Sequence, residues 1–164
     1  MTWLATARAY LGVTEIPGPQ SHPTILGWAR GLGGWVASWF RDDDTPWCAL
    51  FVWHVLQKHG FPLKSGAALV RAKAFLDYGT PLDTPALGRI LVFDRAGGGH
   101  VGFYVGETLK AYRVLGGNQN NRVSEAWLAK DRCVAMRWPP GAAPPAVGRK
   151  WLRPDAEPVS ENER

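Results

Sequence analysis

A thiol, an imidazole and a carboxamide that together can cut an amide are spread along this chain. Cys48 follows Asp-Asp-Asp-Thr-Pro-Trp (Asp42 to Trp47) and opens an apolar run that stops at Gly60. Thr45 as cap and Pro46 in the first turn predict a helix over Pro46 to His59, with Cys48 in that first turn. A sulfur there lies near unpaired amides and the positive end of the helix dipole, which favours the thiolate, the reactive form of cysteine. The acids Asp42 to Asp44 oppose a second anion, so the chemistry calls for a base.

Of the four histidines, His100 is placed unlike the others. It follows Asp94-Arg95-Ala96-Gly97-Gly98-Gly99 and begins the strand-like Val101-Gly102-Phe103-Tyr104-Val105, at a strand mouth beside a permissive loop. His54 and His59 fall on the Cys48 helix and His22 at a helix cap, positions that suit surface or capping roles. A third group must hold the imidazole in one tautomer. Asn118, after Gly116-Gly117, has a side-chain carbonyl suited to accept the ring N–H; the same Gly-Gly-Asn-Gln is also good turn chemistry. Cysteine at a helix start with histidine and asparagine on adjacent strands is the logic of a thiol hydrolase.

The elements that must position these groups divide the chain. Helical spacing is expected over Thr2 to Leu11, Pro23 to Arg30, Pro46 to His59 and Leu69 to Tyr78. The Pro/Gly segment Gly12 to His22 reads as a loop, and Gly31 to Phe40 shows no assignable regular structure. The period then becomes strand-like over Arg89 to Phe93, Val101 to Gly106, Ala111 to Leu115, Val123 to Leu128 and Cys133 to Trp138. Helices followed by adjacent strands predict an α+β domain over residues 1–138 with a five-stranded antiparallel sheet. The Pro/Ala-rich, charged segment 139–164 has no apolar period and is expected to be a disordered tail.

Composition excludes several classes. The chain of 164 residues is 46% hydrophobic and 12% aromatic, enough for one domain with a real core. Its apolar runs are too short and interrupted for a membrane span, and Met1 to Leu11 lacks the features of a secretory signal. Synthesis in a cytoplasm and two free thiols are therefore expected. The formal charge of +5 is scattered singly, with no nucleic-acid-binding motif; it suits solubility or an anionic partner. Asp42 to Asp44 lack the spaced ligands and glycine of a calcium loop and read as solvated or capping acids.

Four segments, Ala9-Tyr10-Leu11-Gly12-Val13-Thr14-Glu15-Ile16-Pro17-Gly18, Thr45-Pro46-Trp47-Cys48-Ala49, Gly98-Gly99-His100-Val101-Gly102-Phe103-Tyr104 and Leu115-Gly116-Gly117-Asn118-Gln119, together resemble the NlpC-like and CHAP (cysteine, histidine-dependent amidohydrolase/peptidase) cell-wall hydrolases, in particular small single-domain phage lysins. The resemblance runs from Trp3 to Pro139. It implies a papain-like fold, peptidoglycan as substrate, and Cys48 as nucleophile, His100 as base and Asn118 as orienting residue. Trp47 is a candidate cleft wall. Gln119 is placed with the substrate-binding residues, and Glu15 either binds substrate amines or caps a helix. The departures are Trp47 where many NlpC-like enzymes carry aspartate, Asn118 where they carry histidine, and Gly88-Arg89 where relatives often carry Gly-Asp.

Thiol attack on an amide calls for no metal and no cofactor. The expected activity is lysis by cleavage of a stem-peptide amide, with endopeptidase favoured over N-acetylmuramoyl-L-alanine amidase. The expected protein is a monomer, made in the host cytoplasm and acting on the wall after release. A secreted antibacterial toxin amidase and a non-catalytic wall-binding module are the alternatives.

Overall fold

The computed structural model describes residues 1–145 and 148–163. It is an α+β arrangement of four helices, α1 (Trp3–Arg8), α2 (Pro23–Leu32), α3 (Gly34–Trp39) and α4 (Cys48–Lys58), with one sheet. The strands are β1 (Thr80–Pro81), β2 (Ile90–Arg95), β3 (Gly98–Glu107), β4 (Ala111–Gln119), β5 (Arg122–Ala129), β6 (Cys133–Trp138) and β7 (Val159–Ser160). The sheet order is β1-β6-β2-β3-β4-β5-β7. The central five correspond to the strands expected from alternation. The sheet is nonetheless seven-stranded rather than five-stranded, and mixed rather than antiparallel, because β7 pairs parallel to β5.

α4 is the hub of the larger core. Eight of its residues, Cys48 to Trp53 with Val55 and Leu56, are buried, and burying each large side chain contributes roughly 1.5–3 kcal/mol. The helix packs on β3 and β4, where Val101, Phe103, Val105 and Leu115 face it. Close approach is possible because Gly117 carries no side chain: a Cβ there would lie 2.7 Å from the Trp47 ring and 2.8 Å from Phe51 Cβ.

The opposite face holds a smaller core of Leu91, Phe93, Tyr104, Tyr112, Val114 and Leu128. Arg89 is fully buried beside it, its guanidinium 5.2 Å from the Tyr104 ring centroid and 5.8 Å from that of Tyr112, with Nη1 donating to the Leu82 and Asp83 carbonyls. The arginine at the position where the resemblance expects an acid is thus a core cation held by aromatic faces and two backbone oxygens, with Nε and Nη2 left without a hydrogen-bond partner among the described residues.

Two local expectations are corrected. Gly34–Trp39, left unassigned above, is helical; Gly33 and Gly34, both at positive φ, form the break before it. Leu69 to Tyr78 is not one helix but two short 3-10 turns, Gly66–Val70 and Ala72–Phe75. The segment 139–164, expected to be a disordered tail, is attached to the sheet at several of its described residues; residues 146, 147 and 164 lie outside the described residues. Trp127 Nε1 donates to Asp155, Arg113 pairs with Glu157, and Arg132 holds the buried Glu163 through both guanidinium nitrogens at 2.7 and 2.8 Å. Its alanines and prolines make no apolar stripe because single side chains and backbone bridges, not a periodic face, attach it.

Candidate active site

Cys48 is the first residue of α4, with Trp47 at the cap position, rather than a residue deeper in the first turn. Thr45 is unavailable as cap because its backbone N–H and hydroxyl both donate to Asp42 Oδ1 at 3.1 Å. The sulfur sees the backbone amides of Val101, Ala49 and Cys48 and the Arg95 charge, all of which favour the thiolate. Burial outweighs them and pushes the thiol pKa up. Desolvation therefore outweighs the helix end at rest, and deprotonation of Cys48 still calls for a base.

A cleft of about 320 Å³ reaches Cys48, lined also by Pro46, Arg71, Lys73, Arg95 and Gly97 to Gly99. Lys73 pairs with Asp94 at 2.9 Å, and Arg95 Nε donates to the Gly99 carbonyl at 3.0 Å. The cleft mouth is cationic, which reading by motif did not single out because these residues are far apart in sequence.

His100 lies on β3 opposite Phe93 of β2, 1% exposed. Its Nε2 is 3.0 Å from Gln119 Oε1. Both Gln119 amide hydrogens are committed, since Nε2 donates to the Val114 carbonyl at 3.1 Å and the Ser124 carbonyl at 2.6 Å. The carboxamide oxygen must therefore face the imidazole, His100 Nε2 must carry the proton, and Nδ1 is left with the lone pair of a base. Gly116 makes room: a Cβ there would lie 2.7 Å from Gln119 Oε1 and 3.2 Å from His100 Nε2.

The partner of His100 is thus Gln119 and not Asn118. Asn118 sits at φ 55°, and its buried Oδ1 has no hydrogen-bond partner among the described residues. The register of β4 against β5 slips between Gly116 and Gln119, and this irregularity brings the longer side chain to the ring. The neighbouring residue in the same motif was the signal; only the irregularity decides between them.

Burial pulls the His100 pKa down to about 4, with the charges of Arg95 and Arg132 acting the same way and Glu163 and the Gln119 hydrogen bond opposing. Cys48 and His100 meet through the chain. The Val101 amide that reaches the sulfur belongs to the residue after His100, while no hydrogen bond joins the two side chains among the described residues. Strand alternation turns Val101 toward α4 and His100 to the other side of β3.

The remaining expected residues serve mainly as support. Trp47 is fully buried, packed beneath Gly117 and against Trp28, so it is not a cleft wall. Its Nε1 donates to Glu15 Oε1 at 2.7 Å. Glu15 borders a separate cleft of about 490 Å³ with Asp44 and Arg122, and its pKa is raised by burial and by Asp43 and Asp44. Gln119 is 2% exposed, inside the site rather than on a substrate surface, although it also borders a cleft with Arg122 and Ser124. Asp43 accepts from the backbone amides of Ile16 and His22 at 3.0 and 2.8 Å, fastening the Gly12 to His22 loop.

The other histidines are structural. His22 caps α2 by accepting from Thr24 N, His54 Nε2 meets the Tyr10 hydroxyl at 2.8 Å, and His59 meets Thr6. No group of three or more metal-ligating side chains occurs among the described residues. No protein-family model matches the chain, and no curated protein matches it.

Proposed function

We propose that this protein is a thiol hydrolase of peptidoglycan, of the NlpC-like and CHAP type, that cuts an amide within the stem peptide. The observation that carries the reading is a cysteine at a helix start, open to a cationic cleft and reached by the backbone amide of Val101, the residue that follows a histidine whose tautomer is fixed by a carboxamide. α4 packs on β3 and β4, but the seven-stranded mixed sheet is not the papain-like arrangement that the resemblance implies.

In this reading the resting pair is neutral, a thiol and an imidazole. At rest the imidazole and Cys48 lie on opposite faces of β3, so this reading requires the start of β3 to rearrange on substrate entry, bringing Nδ1, whose lone pair the Gln119 bond to Nε2 has set, to the sulfur to take the thiol proton. The sulfur attacks the amide carbon, and the backbone N–H groups at the start of α4 stabilise the oxyanion. The C–N bond breaks as His100 returns the proton to the leaving amine. Water, deprotonated by the same nitrogen, then hydrolyses the thioester to a carboxylic acid and restores the thiol. Arg71, Lys73 and Arg95 suit a substrate with carboxylates flanking the scissile bond, which favours endopeptidase cleavage of an acidic stem. Trp47, being buried, no longer bears on that choice.

The test is mass spectrometry of digested sacculi beside a Cys48→Ala control. The expected result is truncated stems left on muramic acid, abolished by Cys48→Ala with unchanged circular dichroism. Intact stems freed from glycan would reassign the bond to the amidase position. Full lysis by the alanine variant, or new reducing sugar ends without amide cleavage, would end the thiol reading.

A further inference from the structure

From the end of the sheet remote from Cys48, we infer that the β3–β4 turn and the segment 149–154 form a docking surface for an anionic lipid bilayer. The two ends are far apart: from His100 on β3 to Thr108, just past the strand's end at Glu107, the chain takes eight steps, about 25 Å at strand rise. A molecule seated by this turn would leave the Cys48 cleft free.

The surface is built to present apolar groups to the outside. Thr108 closes the turn, its hydroxyl accepting from the amides of Lys110 and Ala111 at 3.3 and 3.1 Å. This pushes Leu109 to the apex, 84% exposed. Beside it Trp151 is 54% exposed and bridged to Glu107, with the Leu152 amide donating to the Glu107 carbonyl at 2.8 Å. Leu152 lies over Gly106, where a Cβ would be 2.4 Å from its Cδ1. The indole is therefore held outward by a fastened backbone. Between the two lies an open, largely apolar dent lined by Thr108, Leu109, Lys110, Trp151, Leu152 and Pro154.

The charge around the dent is cationic. Lys110, Arg149, Lys150 and Arg153 are exposed, and Arg149 and Lys130 stand 5.1 and 5.5 Å from the Trp151 ring. Among the described residues, the acid in contact with them, Glu107, is buried beneath and already paired with Lys130 and Arg149. An aliphatic apex, an indole and a ring of cations match the acyl boundary, the interface and the phosphates of a bilayer respectively. Each cation near an anionic surface adds to the attraction. A polysaccharide or a nucleic acid has no use for the leucine.

The full chain should sediment with phosphatidylglycerol-containing vesicles and bind pure phosphatidylcholine vesicles about tenfold more weakly or less, an affinity that falls as salt rises. Leu109→Ser with Trp151→Ser should cut binding to the anionic vesicles about tenfold, with unchanged melting and no blue shift of tryptophan emission. Lys110→Glu with Lys150→Glu should weaken it comparably. Equal binding to both vesicle types, wild-type binding by the serine variant, or complete displacement by inorganic phosphate would overturn the inference. So would vesicle-independent dimerisation lost on Leu109→Ser, which would make the occupant a second copy of the chain.

Discussion

At the scale of single residues, Gln119 and Asn118 make opposite demands on the imidazole. Gln119→Ala removes the oxygen that fixes the His100 tautomer and should forfeit much of the roughly hundredfold or greater contribution of a positioned base. Asn118→Gly should keep turnover and stabilise the fold by up to about 1 kcal/mol, since it relieves a left-handed backbone and an unpartnered oxygen. Steady-state kinetics on a soluble stem peptide, beside thermal melts, separates the two. A glycine variant as impaired as the alanine one would return the orienting role to Asn118. Acid sensitivity follows from the same burial. His54 and His100 are both held near 4, chiefly by desolvation, against an ordinary 6.5. The unfolded chain therefore binds protons first as pH falls. The stability they contribute is full above about 6.5 and is lost between there and about 4. Melting temperature should decline across that window, and His54→Phe, which keeps the stack on Trp28, should reduce the slope.

At the scale of elements, the glycines of β4 do two separable jobs. Gly117→Ala drives a methyl into Trp47 and Phe51 and should cost about 1–3 kcal/mol. Gly116→Ala drives one into Gln119 and the His100 ring, so it should lower turnover by more than its effect on melting accounts for. Parallel melts and rate measurements check this, and equal losses in both would show one shared packing role. The glycine pair was visible in the sequence as permission for close approach, but not which glycine serves which neighbour. Strand alternation made β2 to β6 legible, and the apolar run ending at Gly60 made α4 legible. The start of α4 was not, because Asp42 engages Thr45 across a turn whose geometry no helix-capping pattern encodes. Trp47 illustrates the same limit: its position beside Cys48 was evident, but the face it turns to depends on Gly117, seventy residues on.

For the whole molecule, the segment after Pro145 acts as a brace rather than an appendage. A chain ending there loses the ion pairs to Glu157 and Glu163 and leaves the buried Glu107 with one cation fewer. Calorimetry should register a loss of about 3 kcal/mol or more, while an unchanged melt would mean that the brace adds nothing. This part of the architecture was illegible in sequence because isolated residues hold it, each meaningless until its distant partner is known. The brace also has a colloidal consequence. β1 and β7, two residues each, are the outermost strands of the sheet, so neither border offers a long row of free amides and carbonyls. Without Val159 and Ser160, the part of β5 beyond Val123, which stays bonded to Gly12 and Val13, becomes such a row, a template for pairing between molecules. Clipping the chain before Val159 should therefore turn a dispersed protein into one that scatters light and binds amyloid dyes at concentrations where the intact chain remains clear.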